Sequence, residues 1–128
     1  MRSRILFLSG RREDARELLE MLHSLPVVLD HAETLRQARV RLERDEYDIV
    51  LTEAALPDGN WLDVLHLVRD CPGQLPVVVT DAQADNRVWA QALNLGAYDW
   101  LAQPFYEPEV RRIVSNACTH AVPVLSAL

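Results

Sequence analysis

The sequence predicts an α/β domain, a parallel sheet with helices on both faces. Two observations carry this. Five short apolar runs are spread along 128 residues, and each is followed by apolar residues at helical spacing. The run at 76–79 is wholly apolar, as expected of a strand covered on both sides.

The elements follow in order. Residues 5–8 form a short apolar strand that ends at Ser9 and Gly10. Ala15, Leu18, Leu19 and Leu22 then mark a helix, with Glu13 and Asp14 near its start, where the helix dipole favours acids. A second strand is expected at 26–29, and a helix on the stripe Leu35, Ala38 and Leu42. The third strand spans 48–51, and Leu56 to Asn60 read as a turn-rich loop. Leu62, Leu65 and Val68 mark the third helix, and 76–79 the fourth strand. Val88, Ala92 and Leu95 mark the fourth helix, with Gly96 as its C-cap. Residues 98–101 are the fifth strand, and Val110, Ile113, Val114 and Ala117 the last helix.

Five β-then-α units with right-handed crossovers leave few topologies. A flavodoxin-like three-layer sandwich with strand order 2-1-3-4-5 is the leading one. Residues 1–120 make this domain, and 121–128 an apolar tail or the start of a linker. In such sheets, ligands and chemistry gather at the carboxyl ends of the strands. The residues there are Ser9 and Gly10, Thr52 and Glu53, Thr80 and Asp81, and Ala102 and Gln103.

Composition narrows the function. A net charge of −6 argues against direct nucleic-acid binding, which needs a basic face. No apolar run is long enough for a signal peptide or a membrane span, so the cytoplasm is expected and a membrane partner is not. Cys71 and Cys118 have no metal or redox spacing and are expected as reduced structural thiols. His23, His31, His66 and His120 show no paired ligand spacing, no serine sits in a nucleophile elbow, and the glycines are single. No enzyme is expected, and no cofactor.

Three segments, in order and each on the right element, carry a resemblance. They are DIVLTEAALPDG from Asp48, LPVVVTDA from Leu75 and GAYDWLAQPF from Gly96. Together they resemble a response-regulator receiver domain of two-component signalling, over nearly the whole chain. In that family an Asp four residues before the loop proline accepts the phosphoryl group; the matching residue here is Glu53, before Pro57. The two acids that hold Mg²⁺ after the first strand are matched by Ser9 and Gly10. The conserved Lys is matched by Gln103, and the phosphoryl-binding Ser or Thr by Asp81, with Thr80 one residue early. The switch aromatic is matched by Trp100. Pro104 is expected after a cis peptide bond.

These departures weaken the usual chemistry. Mg²⁺ is a hard ion that wants carboxylate oxygens, and Ser9 and Gly10 supply none, so strong Mg²⁺ binding is not expected. All thirteen basic residues are Arg, so no Lys can be recruited from elsewhere. An ionised Asp81 repels a phosphoryl oxygen where a hydroxyl would donate to it. Glu53 is longer than Asp by a methylene, and misplacement on the order of 1 Å is costly for transfer. The favoured expectation is a degenerate, phosphorylation-independent receiver in which Glu53 holds a fixed state. Thr80 and Gln103 are the expected donors to it, and Arg11 a candidate cation. Against these stand plainer roles: Arg11 solvated at a helix start, Glu53 a soluble loop-edge acid, Asp81 a helix cap.

The resemblance implies a protein partner: an output domain, a kinase or a second copy, with homodimerisation open. The partner face would include Arg87, Gln91, Asn94, Tyr98, Glu107, Arg111 and Ser115, with Trp89 as an anchor if exposed. Alternatives are a small ligand bound in the altered pocket, or an unusual acceptor at Glu53 or Asp58.

Overall fold

The computed structural model describes residues 2–71, 73, 75–82 and 86–120. The tail expected at 121–128 lies outside the described residues. Strands β1 (Ser3–Leu8), β2 (Val27–Ala32), β3 (Ile49–Glu53), β6 (Val77–Asp81) and β7 (Asp99–Ala102) form one parallel sheet in the order β2-β1-β3-β6-β7. A small antiparallel pair, β4 (Ala55–Leu56) and β5 (Gly59–Asn60), is inserted after β3. Without that pair the order is the flavodoxin-like one.

The strands alternate between two buried faces, so both are apolar. Ile5, Phe7, Ile49, Leu51, Val78 and Leu101 pack under helices α1 (Arg12–Met21) and α5 (Glu107–His120), through Ala15, Leu18, Val110, Ile113 and Ala117. Leu6, Leu8, Val50, Val79 and Trp100 face α2 (Leu35–Arg44), α3 (Trp61–Arg69) and α4 (Asn86–Asn94), through Ala38, Val64, Val68 and Ala92.

Two elements differ from the sequence expectation. β2 continues to Ala32 through the polar pair Asp30 and His31. Cross-strand partners make this possible: Asp30 accepts from Arg4 at 2.9 Å and from the Tyr47 hydroxyl at 2.7 Å. The loop at 56–60 carries the β4–β5 pair. Its Asp58 carboxylate accepts the backbone N–H of Leu35 at 2.8 Å and of Arg36 at 3.2 Å, capping α2. Asn60 and Asp63 form a capping box on α3. After α4, Gly96 takes φ +113°, a conformation that glycine adopts without steric cost, and the Ala97 N–H returns to the Ala92 carbonyl at 2.9 Å.

Candidate functional site

The carboxyl ends of β1, β3 and β6, together with the first turn of α1, bring polar side chains together in one place, here called the pocket. Ser9, just past β1, is fully buried. Its hydroxyl donates to Glu53 Oε1 at 2.6 Å and accepts the Arg11 N–H at 3.0 Å. The Ser9 carbonyl is held in turn by His31 Nε2 at 2.7 Å. A carbonyl only accepts, so His31 carries its proton on Nε2. Phe7 stacks on the His31 ring with centroids 6.0 Å apart.

Glu53 ends β3 and is half-buried. The Asp14 carboxyl, from the first turn of α1, lies within hydrogen-bonding reach of it, and the Gln103 side chain also hydrogen-bonds to it. Burial, then the hydrogen bond and charge of Asp14, push the Glu53 carboxyl up to about 7, while Ser9 and Gln103 pull the other way. The described ion pairs join Arg4 to Asp30 and Asp45, and Arg12 to Glu33. None reaches Glu53 or Asp14.

Thr80 stands beside Glu53 in the β3–β6 register, so both side chains leave the same face of the sheet. Thr80 is fully buried, and its hydroxyl has no hydrogen-bond partner among the described residues. Asp81 ends β6 half-buried, and its carbonyl accepts the Gln103 N–H at 2.9 Å. The Gln103–Pro104 peptide bond is cis. Trp100 lies on the opposite face in the α3–α4 core, with its indole N–H unpartnered among the described residues.

The family whose model matches this chain is the response regulator receiver domain, over residues 10–115. The chain belongs to that family. It is similar to the response regulator protein PilR of Pseudomonas aeruginosa, at 34% identity over 105 residues, covering 81% of this chain and 24% of that protein. It is also similar to the transcriptional regulatory protein KdpE of Staphylococcus aureus, at 28% identity over 116 residues, covering 87% of this chain and 48% of that protein. The chain thus spans about a quarter to a half of these relatives' length. Among solved structures, a signal receiver domain of an HD domain-containing protein from Pseudomonas fluorescens superposes with TM-score 0.84, at 25% identity, covering 94% of this chain and 98% of that one. A two-component response regulator from Clostridium difficile superposes with TM-score 0.85, at 20% identity, covering 95% of this chain and all of that one.

The receiver family holds Mg²⁺ in this pocket, and the residues present do not fit that ion. Gly10 brings no side chain, and a Cβ there would meet Pro57 Cγ at 3.2 Å. Ser9 is neutral, its proton directed at Glu53 and its oxygen engaged by Arg11. Glu53 remains, engaged by Ser9 and with the Asp14 carboxyl acting on it.

Three expectations are corrected. Thr80 is not a donor to Glu53: its buried hydroxyl has no hydrogen-bond partner among the described residues. Arg11 does not bring a cation: its side chain is exposed, and its contacts with Ser9 run through its backbone N–H and carbonyl. It is the N-cap of α1, in an extended conformation, with its backbone tied to Ser9. Asp58 sits outside the pocket, occupied in capping α2. Asp14 was missed. Its signal was present, because Asp14 and Leu18 are one helical turn apart and share the stripe of α1 that faces the sheet.

On the α4 side, Arg87, Gln91 and Asn94 are exposed, Trp89 is 42% exposed and Leu93 40%. Tyr98 and Arg111 are half-buried, and Glu107 and Ser115 exposed. Both cysteines are free. No described helix is long and apolar enough to cross a membrane.

Proposed function

We propose that this receiver signals through protein–protein contacts without accepting a phosphoryl group, with Glu53 as a fixed acidic centre. The observation that carries this reading is the engagement of Glu53, the residue at the acceptor position, by Ser9, Asp14 and Gln103. An acceptor carboxylate must attack a phosphorus centre while a cation neutralises the moving oxygens. Here the neighbouring groups are a hydroxyl, an amide and a second carboxyl. The domain is a signalling module, not an enzyme, and needs no cofactor. Its partners are proteins: an output region, a kinase or a second copy. It acts in the cytoplasm beside them and makes no direct contact with nucleic acid or membrane.

The face formed by α4, β7 and α5 is the surface that meets them, with Trp89 and Leu93 as apolar anchors flanked by Arg87, Gln91 and Asn94. Trp100 is the residue between pocket and face: it sits on β7 beside Val79, the neighbour of Thr80 in β6, and shares the α4-side core with Ala92. Glu53→Gln, followed by amide chemical shifts, tests this reading. Shifts at Trp100 and along α4 are expected, together with altered self-association in sedimentation. Shifts confined to Ser9, Asp14 and Gln103 would contradict it.

A further inference from the structure

The net charge of −6 is not spread evenly over the surface. α2 (LRQARVRLER) carries four arginines and one acid. Arg36, Arg39, Arg41 and Arg44 are all exposed, and none of them belongs to an ion pair among the described residues. Val40 stands in their midst, 46% exposed, one helical turn from Arg36 and one from Arg44. The core does not use these side chains, because α2 packs on the sheet through Ala38, Leu35 and Leu42. The outer side of α2 is therefore a basic ridge with an uncovered apolar residue at its centre.

α1 carries the opposite pattern. Ala15 and Leu18 face the core, and Glu13, Glu17 and Glu20, spaced four and three residues apart, run along the outer side. Glu13 and Glu20 are exposed and Glu17 is half-buried. None of the three has an ion-pair partner among the described residues. Leu19, beside Glu20, is 53% exposed. Of the basic residues on this helix, Arg12 is committed to Glu33 at 2.9 Å, and Arg16 is outnumbered, as Glu43 is on α2.

The two ridges match in length. At a rise of about 1.5 Å per residue, Glu13 to Glu20 covers about 10 Å and Arg36 to Arg44 about 12 Å. They cannot meet within one chain. α1 lies on the sheet face of Ile5 and Phe7, and α2 on the face of Leu6 and Leu8. Opposite charges on opposite faces of one molecule are complementary between molecules. A polyanion would answer the arginines of α2 and leave the acids of α1 unmatched, whereas a second copy answers both.

We propose that the α2 ridge docks the α1 ridge of a second copy of this chain. The contact is head-to-tail. Each copy offers α2 to one neighbour and α1 to another, so copies add in series and do not close as a pair. Exposed ion pairs are individually weak and are screened by salt, so the association depends on concentration and is strongest at low ionic strength. It uses neither the pocket nor the face of α4, β7 and α5, and it stands apart from the reading of Glu53.

The test is sedimentation velocity on the intact chain over a concentration series. It is run at about 20 mM and about 500 mM salt, where the Debye length falls from about 20 Å to about 4 Å. Two variants accompany the native chain: Arg36→Gln with Arg44→Gln, and Glu13→Gln with Glu20→Gln. All four positions are exposed, so both variants keep the fold. The native chain is expected to grow past a dimer with concentration at low salt and to dissociate at high salt. Each variant alone should associate about tenfold more weakly. Mixed in equal amounts, the two should form a complex of one copy each that grows no further, since only one intact ridge of each kind remains. The acid variant fixes the sign. Removing two acids lowers the net negative charge, so association through overall charge would rise, whereas the proposal requires it to fall. A native chain that stays monomeric at low salt would overturn the proposal, including one that binds a short DNA duplex through the same arginines. So would growth that stops at a dimer, or association that salt leaves unchanged. Association that Trp89→Ala removes while both charge variants keep it would place the contact on α4 and overturn the proposal as well.

Discussion

Two acidic clusters lie toward opposite ends of the same sheet, and the fold treats them differently. Toward the amino ends, Asp30 and Asp45 are met by Arg4, whose guanidinium also lies 5.0 Å over the Tyr47 ring, and Tyr47 adds its hydroxyl to Asp30. Burial and the bond to Asp30 push the Tyr47 phenol up to about 12. Every acid there has a cation or a donor, and the cluster closes the sheet edge. At the carboxyl ends, Glu53 is met by the Ser9 hydroxyl and the Gln103 amide, while burial and the Asp14 carboxyl push its own carboxyl up to about 7. Charge balanced by a neighbour makes a joint. Charge left for the surroundings to balance makes a site that responds to them.

The comparison can be broken at three strengths. Leu18→Ala removes the fully buried side chain that presses α1 onto the sheet, and should cost about 3 kcal/mol in chemical denaturation. It should also bring the midpoint of the Glu53 carboxyl titration down, because Asp14 is no longer held close. An unchanged midpoint would show that this packing does not raise it. Tyr47→Phe strips the donor from Asp30 and should cost about 1.5 kcal/mol equally at pH 5 and pH 8, since the amino-end cluster lies apart from Glu53. A loss that varied over that range would couple the two regions. Thr80→Val replaces the buried, unpartnered hydroxyl beside Glu53 with a methyl and should stabilise the fold by about 1 kcal/mol. A loss of stability would mean that the hydroxyl has a partner such as a bound water.

The fold was legible because each strand is an apolar run and each helix an apolar stripe. β2 was cut short because Asp30 and His31 interrupt its run, and only the partners that folding brings, Arg4, Tyr47 and the Ser9 carbonyl, make them acceptable in a strand. At the pocket, strand ends mark their own positions, so Ser9, Glu53, Thr80 and Gln103 could be named in advance. Asp14 could not be reached that way, because its place depends on how α1 lies back over the sheet. Arg11 failed for the same reason in reverse: nearness in sequence to Ser9 says nothing of where its guanidinium points. Asp58 looked like a spare acceptor until the turn placed it on the N-terminus of α2.

The central claim is that the pocket works without phosphoryl transfer. Intact-mass spectrometry after incubation with Mg²⁺ and acetyl phosphate tests it most directly. An unmodified mass is predicted, both for the native chain and for Glu53→Gln. A phosphoryl adduct on the native chain that disappears in Glu53→Gln would contradict the account, making Glu53 an acceptor.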